Sequence, residues 1–453
     1  MTVSEAAPEV VRRGRWIGDW HPDDPAFWER RGKRVARRNL VWSIFAEHLG
    51  FTLWTVWSIV AVQLGDYRFS TDQLFWIVSL PNLVGSTLRI PYTFAPARFG
   101  GRNWTVVSAL LLLVPAVLLA VAVSDPATPY WVFLVIAATA GVGGGNFASS
   151  MANITYFYPQ ARQGAALGLN AAGGNIGVSS VQLVMPLVIT GFGLAAAGLF
   201  WVPFILAAAI GAYFFMDNLT TAKASPRDQL KIAGRAQTWI MSVLYIGTFG
   251  SFIGYSTAFP LLINSQFPEY AGLVGLAFLG PLVGSLVRPA GGWLADRMGG
   301  ARVTLWNFAA MAGALGLVWA GLARHEFPLF FAAYMLLVAT TGVGNGSTYR
   351  MIPAIFRAKA TAGLAAGTEA HTAAVGVARR DASAAIGLIS AIGAYGGFLI
   401  NRGFGSSIAA TGGAEAALGG FAAFYVLCFA LTWACYLRTV GAGAVPSLAA
   451  ARI

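Results

Sequence analysis

The sequence predicts an all-α membrane protein whose twelve transmembrane helices form two repeated six-helix bundles. Three observations lead to this fold class: an apolar composition, long apolar runs, and motifs that recur between the two halves of the chain. Of 453 residues, 57% are hydrophobic and 11% are charged, and the mean hydropathy is +0.64. An average soluble domain carries about 25% charged residues. The composition therefore excludes an ordinary soluble protein, a disordered chain and a disulfide scaffold.

The length of the apolar runs indicates helices rather than barrel strands. Segments such as Trp104–Val123 and Leu194–Met216 are apolar for 20 or more residues, which is enough for one helical crossing, whereas barrel strands alternate over about 10 residues. Gly, Asn and Ser interrupt four of the runs, and we interpret those as helices with buried small-residue faces. The twelve runs are centred near residues 52, 85, 113, 143, 176, 205, 250, 283, 313, 340, 391 and 428.

Basic residues predict the orientation of these helices. With twelve crossings, 24 Lys and Arg side chains fall on the side of the two termini, and only Arg68, Arg324 and Arg402 fall on the other. The positive-inside rule then places both termini in the cytoplasm of a multi-pass protein of the plasma (inner) membrane. The basic balance is thus an orientation signal, and we expect no nucleic-acid binding.

The longest polar stretches between the predicted helices are 217–237 and 357–381, and the first divides six helices from six. We therefore predict five segments. They are a basic N-terminal segment at 1–39, a six-helix bundle at 40–217, a linker at 218–237, a second six-helix bundle at 238–438 and a tail at 439–453.

The two halves repeat each other in sequence. Arg89 and Arg288 each precede a Gly-Gly pair by the same eleven residues, and Gly-Val-Gly-Gly-Gly-Asn at 141–146 matches Gly-Val-Gly-Asn-Gly-Ser at 342–347. Parallel six-helix repeats with a substrate site at their interface are the architecture of major facilitator transporters. Asp296 and Arg297, in Asp-Arg-Met-Gly-Gly, resemble the loop motif of that superfamily, which implies a role in gating.

Arg89 and Arg288 suggest an anion site. We place both roughly two turns inside their helices, where a charged side chain costs several kcal/mol. Of eighteen acidic residues only Glu47 falls well inside a predicted helix, so two positive charges face at most one negative charge. Pairing of each arginine with backbone carbonyls or a helix C-terminus is the alternative. Arg350 lies near a helix end, where it can extend to the membrane surface.

Longer signatures point to a known family. The segment that begins at Asn146, Asn-Phe-Ala-Ser-Ser-Met-Ala-Asn-Ile-Thr-Tyr-Phe-Tyr-Pro, is followed from Gln163 by Gln-Gly-Ala-Ala-Leu-Gly-Leu-Asn-Ala-Ala-Gly-Gly-Asn-Ile-Gly. Both resemble the nitrate signature of the NarK-type nitrate/nitrite porters. The stretch from Ala384, Ala-Ala-Ile-Gly-Leu-Ile-Ser-Ala-Ile-Gly-Ala-Tyr-Gly-Gly, is similar to the matching signature of the second half. The resemblance covers about residues 19 to 438.

The resemblance implies a carrier that needs no cofactor or metal, has no enzyme activity, works as a monomer in membrane lipid and holds nitrate or nitrite between Arg89 and Arg288. It further implies that Phe147 and Phe249 sandwich the planar anion. The remaining residues that the resemblance assigns to the anion site are the polar contacts Asn175 and Tyr245 and the lining aromatic Phe51.

Glu47 is a departure from some exchangers of this family, which have apolar residues there. It lies one helical turn from Phe51, so both side chains can face the cavity. Three interpretations are open: Glu47 takes a proton with each anion, it is a fixed counter-ion for an arginine, or it bonds to His48 locally. Nitrate/nitrite exchange and nitrate/proton symport therefore both remain open, as do a carrier of formate or a short carboxylate and a membrane anion sensor.

Overall fold

The computed structural model describes residues 14–222, 231–365, 367–438, 448–449 and 453. The first part of the predicted N-terminal segment, the middle of the predicted linker and most of the predicted tail lie outside the described residues.

Twelve long helices run through the described part of the chain, which confirms the predicted fold class. Eleven of them are long and apolar enough to cross a membrane by themselves. The other, Thr71–Phe99, has 29 residues but carries Asp72, Arg89 and Arg98. The helices are α1 Pro25–Gln63, α2 Thr71–Phe99, α3 Gly101–Val123, α4 Tyr130–Phe157, α5 Gln160–Phe192, α6 Ala196–Phe215, α7 Ala236–Gln266, α8 Pro268–Met298, α9 Gly300–Ala323, α10 Phe327–Ala360, α11 Glu369–Thr411 and α12 Glu415–Leu437.

Matching glycine turns follow the two arginine-bearing helices. Gly100 ends α2 with φ of 88°, and Gly299 ends α8 with φ of 90°. Only glycine adopts this left-handed region without strain, and it lets the next helix start at once. The two turns are therefore structural equivalents, as the repeated Gly-Gly pairs predict. They lie on the face that also carries Trp16 and Ile453, which contact these turns. We call this face the terminal face, and the opposite one the far face.

Two predictions about helix ends are wrong. The stretch 357–381 is mostly helical, because α10 continues to Ala360 and α11 begins at Glu369, where the Thr368 side chain accepts a hydrogen bond from the His371 amide. The arginines also lie deeper than two turns, since α2 and α8 continue ten residues beyond Arg89 and Arg288. At 1.5 Å per residue this depth is about 15 Å.

The described part of the N-terminal segment, from residue 14, folds against the first six helices. Strand β1, Trp16–Ile17, pairs in parallel with β2, Asn218–Leu219. Beside it the buried Asp217 carboxylate accepts hydrogen bonds from Arg15, Arg38 and Asn39. Helix α1 begins at Pro25, ahead of the predicted boundary at residue 40, because the Asp24 side chain caps its first turn.

The two six-helix halves pack through α2 against α11 and α5 against α8. On the far-face side of Asn175, Ser179 of α5 donates to the Phe278 carbonyl (3.0 Å) and Gln182 donates to the Ser256 carbonyl (2.7 Å). At the far face itself Arg402 of α11 pairs with Asp72 of α2 (2.8 Å). These contacts hold the halves together at the far face.

We expect Asp72→Asn to favour opening at the far face. The ion pair is partly buried, and pairs of this kind contribute about 1 kcal/mol, which corresponds to roughly a fivefold change in the open population. A cysteine at position 179, in a chain with Cys428 and Cys435 replaced by serine, reports the change. An impermeant maleimide applied to the far face of proteoliposomes labels it about fivefold faster.

The matched control is Asp66→Asn, because Asp66 is an exposed carboxylate on the same face, outside this pair. Equal labelling in the Asp72→Asn and parent chains would show that the ion pair does not hold this face closed.

Candidate anion site

Arg89 lies at the centre of the molecule with no exposed surface. Its Nε donates to the Gly144 carbonyl of α4 and its Nη1 donates to the Ser390 carbonyl of α11, both at 3.1 Å. Its Nη2 is buried without a partner. The backbone-carbonyl alternative therefore holds only in part for Arg89, because one arm of the guanidinium remains available to an anion.

Arg288 is 6% exposed, and its Nη1 is also buried without a hydrogen-bond partner. Its Cζ lies 5.7 Å from the centre of the Tyr349 ring, and it faces Tyr245. No carboxylate lies within 4.0 Å of either arginine among the residues that the structure describes. Two buried guanidinium groups thus keep N–H donors for an acceptor that the described protein groups do not supply.

A stack of aromatic rings connects the two arginines. Phe147 of α4 stacks on Phe249 of α7 with centroids 5.9 Å apart, and Phe249 stacks on Tyr245 at 5.4 Å. Phe51 meets Phe147 edge to face at 6.0 Å. Arg89 Cζ lies 4.6 Å from the Phe147 centroid and 4.8 Å from the Phe249 centroid. The structure therefore brings together these four aromatic residues and Arg89.

The spacing of Phe147 and Phe249 limits how an anion can bind. A planar group between two rings needs about 3.5 Å to each, roughly 7 Å in all, and the centroids are 5.9 Å apart and 25° from parallel. A sandwich of the kind that the family resemblance implies therefore requires the rings to separate by about 1 Å. Phe249 lies in a π-helical turn of α7, Ile246–Gly250, and such turns are frequent at functional sites.

Glu47 of α1 is fully buried next to this site. Its Oε2 accepts a hydrogen bond from Asn170 Nδ2 of α5 (2.7 Å), and its Oε1 has no partner. Glu47 makes no ion pair within 4.0 Å in the described ranges, although it lies in the field of Arg89 and Arg288. His48 Nδ1 contacts the Gly173 carbonyl instead (3.0 Å). Glu47 therefore makes neither a direct ion pair with an arginine nor a bond to His48 in the described structure, and its role stays a prediction.

Glu47 and Tyr245 occupy equivalent positions in the two repeats. Glu47 precedes Phe51 by four residues, and Tyr245 precedes Phe249 by four. A Cβ on Gly174 of α5 would overlap Glu47 Oε1, and a Cβ on the matching residue of α11, Gly393, would overlap the Tyr245 ring. This shared spacing is visible in the sequence. It would have allowed Glu47 to be predicted as the equivalent, in the first repeat, of the anion-site residue Tyr245.

Several buried amides near the site also lack partners. Neither amide atom of Asn175 has a hydrogen-bond partner, and the same is true of Asn146 and Asn345, which lie in the two matching Gly-rich motifs of α4 and α10. The Tyr349 hydroxyl is likewise unpaired. Asn175 was predicted; Asn146, Asn345 and Tyr349 were missed, although the repeated Gly-Val-Gly motifs mark the first two. These buried groups keep neutral hydrogen-bond donors without a partner in the described structure, and the Tyr349 ring lies next to Arg288.

The loop-motif residues lie apart from the site, at the terminal face. Arg350 of α10 extends to this surface as expected and pairs with Asp296 of α8. Arg297 lies with its Cζ 4.0 Å from the Trp293 ring. The Asp296–Arg350 pair joins two helices within the second half, so the gating role of Asp296 and Arg297 stays a prediction.

A family model described as Major Facilitator Superfamily matches residues 40–377. The nitrate/nitrite transporter NarU of Salmonella typhimurium is 44% identical over 445 residues, which cover 93% of this chain and 96% of that transporter. The chain belongs to the NarK-type nitrate/nitrite porter family of the major facilitator superfamily. The probable nitrate/nitrite antiporter NarK2 of Thermus thermophilus is 38% identical, with 94% and 97% of the two chains covered. This porter is therefore a multi-pass membrane transporter and not an enzyme.

Solved structures of distant transporters share the fold of this porter. The nucleoside transporter NupG superposes with a TM-score of 0.61 at 13% identity, with 87% of this chain and 99% of that one covered. The human organic anion transporter MFSD10 superposes with a TM-score of 0.60 at 15% identity, with 89% and 99% covered. Both agree with a twelve-helix major facilitator architecture.

Proposed function

We propose that this chain carries nitrate and nitrite across the plasma membrane by alternating access, with the anion held between Arg89 and Arg288. The observation that carries the proposal is the pair of buried guanidinium groups with unpaired N–H donors and no carboxylate within 4.0 Å in the described residues. The names of relatives with 44% and 38% identity, a nitrate/nitrite transporter and a probable nitrate/nitrite antiporter, support the choice of anion.

Guanidinium chemistry fits a small planar anion. Arginine is planar, stays charged and presents parallel N–H donors that match two oxygens of one ligand. Nitrate and nitrite offer coplanar oxygens, and the faces of Phe147 and Phe249 exclude water from both sides of that plane. Neutral donors such as Asn175 and Tyr245 serve the oxygens that the arginines do not reach.

The anion drives the change of access through charge. Without it, two positive charges of the central site repel each other across the interface between the halves, since Arg89 lies on α2 of the first half and Arg288 on α8 of the second. A bound anion neutralises this repulsion and allows the halves to close over it. Arg89 also bonds across the interface to the Ser390 carbonyl, so movement of the second half alters the geometry of the site.

The remaining features of the proposal follow the predictions from sequence. We propose that both termini lie in the cytoplasm, that the chain works as a monomer in membrane lipid, and that the Asp296–Arg350 contact changes as access alternates. Without a bound anion, the positive charges of the two arginines are not neutralised and block the return of the carrier. This favours exchange of one anion for another. Nitrate/proton symport is the alternative if a proton is also carried.

Counterflow in proteoliposomes tests the transport function. Vesicles loaded with nitrite are expected to accumulate labelled nitrate, and the reverse loading is expected to work as well. Strong competition by formate at equal concentration would favour a carrier of short carboxylates instead. Binding of nitrate with no counterflow would identify an anion sensor and contradict the proposal.

We further propose that Glu47 carries a proton with the anion. The support is its complete burial without an ion pair in the described ranges, next to the arginines. A buried carboxylate without a counter-ion is costly, and a proton removes that cost. A pH gradient that is acidic on the side of uptake then protonates Glu47 there and drives net nitrate accumulation.

Glu47→Gln is expected to abolish the effect of the pH gradient, because glutamine keeps the shape of a protonated carboxyl and takes up no proton. Net nitrate uptake in proteoliposomes, with and without an acidic exterior, measures this effect. Glu369→Gln, an exposed carboxylate at the start of α11, is the matched control and should respond to the gradient as the parent does. Uptake by Glu47→Gln that still rises with the gradient would exclude Glu47 as the proton carrier.

A further inference from the structure

Glu47 and Asn170 are joined by one hydrogen bond, and each is left with one unpaired oxygen. Asn170 Nδ2 donates to Glu47 Oε2 at 2.7 Å, while Glu47 Oε1 and Asn170 Oδ1 are both buried without a partner. Neither residue exposes surface. An unpaired acceptor is expensive in such surroundings, and two acceptors of adjacent groups cannot bond to each other unless one of them carries a hydrogen.

The Ser150 hydroxyl of α4 also interacts with the Glu47 carboxyl, but Oε1 is still left without a hydrogen-bond partner in the described structure. Oε1 lies over Gly174, which has no side chain. The charged or titratable groups that face Glu47 are Arg89 of α2, Arg288 of α8 and Tyr349 of α10, and none forms a hydrogen bond or an ion pair with it in the described structure. His48, its neighbour on α1, is directed at the Gly173 carbonyl.

We propose that Asn170 is the positioning residue that allows Glu47 to gain and lose a proton inside the bundle. In the charged form, the Asn170 amide nitrogen stabilises the carboxylate through Oε2. In the protonated form, Glu47 Oε1 donates its proton to Asn170 Oδ1, which pairs both unpaired oxygens at once. The inference rests on the proposed function of Glu47 as proton carrier and adds the group that makes its protonation reversible.

An uncharged amide suits this role better than other side chains. It offers donors and an acceptor in one plane, so it can bond to a carboxylic acid and, more strongly, to a carboxylate, and it adds no charge of its own. A fixed positive partner would hold Glu47 charged, and an apolar partner would hold it protonated. Asn170 therefore keeps both states accessible.

A pair of hydroxyl groups connects this acid–amide pair to the rest of the bundle. Asn170 Nδ2 also donates to Ser150 Oγ of α4 (2.7 Å), and Ser150 Oγ bonds to Ser43 Oγ (2.8 Å), one turn closer to the terminal face on α1. Ser150 is 8% exposed, whereas Glu47 is fully covered. The proton comes from water on the open side and returns to water on the other side, with no other group oxidised or reduced.

The test compares Asn170→Leu with the parent in two measurements. Leucine keeps the approximate volume but removes the charge-assisted bond to the carboxylate, so Glu47 stays protonated to higher pH. In infrared spectra of the purified transporter, the carboxylic acid band of Glu47 is the one that Glu47→Gln removes. In Asn170→Leu this band should persist to a pH about one unit higher than in the parent, which is a tenfold change in proton binding. Net uptake driven by a pH gradient should fall by at least about fivefold.

The matched control is Asn401→Leu. Asn401 is another fully buried amide, on α11, where it donates to Thr257 Oγ1 and to the Gly397 carbonyl, away from Glu47. Its pH profile and its acid band should match those of the parent. If Asn170→Leu is not recovered in folded form, Asn170→Ala provides the same comparison, because alanine also lacks both amide atoms.

The outcomes separate the two proposals. An unchanged acid band and pH profile in the Asn170 variants, with coupling lost in Glu47→Gln, would overturn the role of Asn170 and leave Glu47 as carrier. Proton-driven uptake that survives Glu47→Gln would overturn the proposed coupling itself. The inference would also be contradicted if the parent showed no carboxylic acid band that disappears in Glu47→Gln. This holds for every pH at which nitrate uptake by the parent is driven by protons.

Discussion

Arg89→Lys and Arg288→Lys are each expected to reduce nitrate uptake by about 100-fold, although both keep the positive charge. Lysine replaces the planar fork with a single ammonium group on a flexible chain, so one of two charge-assisted hydrogen bonds to the anion is lost. Such a bond contributes about 1.5–3 kcal/mol, and every 1.4 kcal/mol is tenfold. Initial rates of labelled nitrate counterflow in proteoliposomes measure the loss.

The two substitutions should also differ from each other. Arg89 Nε and Nη1 bond to the Gly144 and Ser390 carbonyls, and lysine at position 89 cannot keep both bonds while reaching the anion. We therefore expect Arg89→Lys to lower thermal stability as well, whereas Arg288→Lys lowers transport alone.

Arg302→Lys is the matched control, because Arg302 is exposed at the terminal face beside the loop motif. Its uptake should remain within twofold of the parent. Normal nitrate transport by either of the buried-site lysine variants, at equal insertion in the membrane, would contradict the two-arginine site.

The sequence was sufficient to predict the fold and the two arginines because both depend on local patterns. Helices in lipid must satisfy their own backbone groups, so apolar run length determines their number. The repeated spacing of Arg89 and Arg288 from their Gly-Gly turns is equally local, and the structure gives both turns the same left-handed glycine conformation. Charge in an apolar run is also conspicuous in any sequence.

The contacts that decide how polar side chains are used could not be predicted, because they join residues far apart in the chain. Asn170 lies 123 residues from Glu47, and nothing in the composition of α5 indicates that its amide would meet that carboxyl. Asp296 and Arg350 are 54 residues apart and meet only because α8 packs on α10. The helical start of α11 was missed because its charged residues resemble a loop in a hydropathy profile.

The separation of Phe147 and Phe249 connects the structure to the transport cycle. The family resemblance implies an anion between these rings, yet their spacing of 5.9 Å leaves no room for it. Since Phe147 belongs to the first half and Phe249 to the second, a small relative movement of the halves both opens the slot and alters access. The same pair of rings can thus serve as part of the site and as part of the gate.

Gly346→Ala is expected to reduce nitrate uptake by about 100-fold without touching the anion. A Cβ at this position of α10 would overlap the Arg288 carbonyl oxygen and lie 2.7 Å from the Gly292 amide nitrogen. Both are backbone atoms that cannot rotate away, so α10 and α8 must separate by about 1 Å, and displacements of this size at a site cost about 100-fold. Alanine has a higher helix propensity than glycine, so a loss of nitrate uptake cannot be explained by a weaker helix.

Gly292→Ala on the facing helix is the matched control, because its Cβ would meet only the Gly346 carbonyl oxygen, at 4.0 Å. Counterflow rates and nitrate affinity should stay near those of the parent for Gly292→Ala and fall together for Gly346→Ala, since the displaced Arg288 weakens binding and turnover alike. Gly346→Ala with normal affinity but slow turnover would instead indicate that the α8–α10 contact limits the movement of the halves and not the position of the arginine.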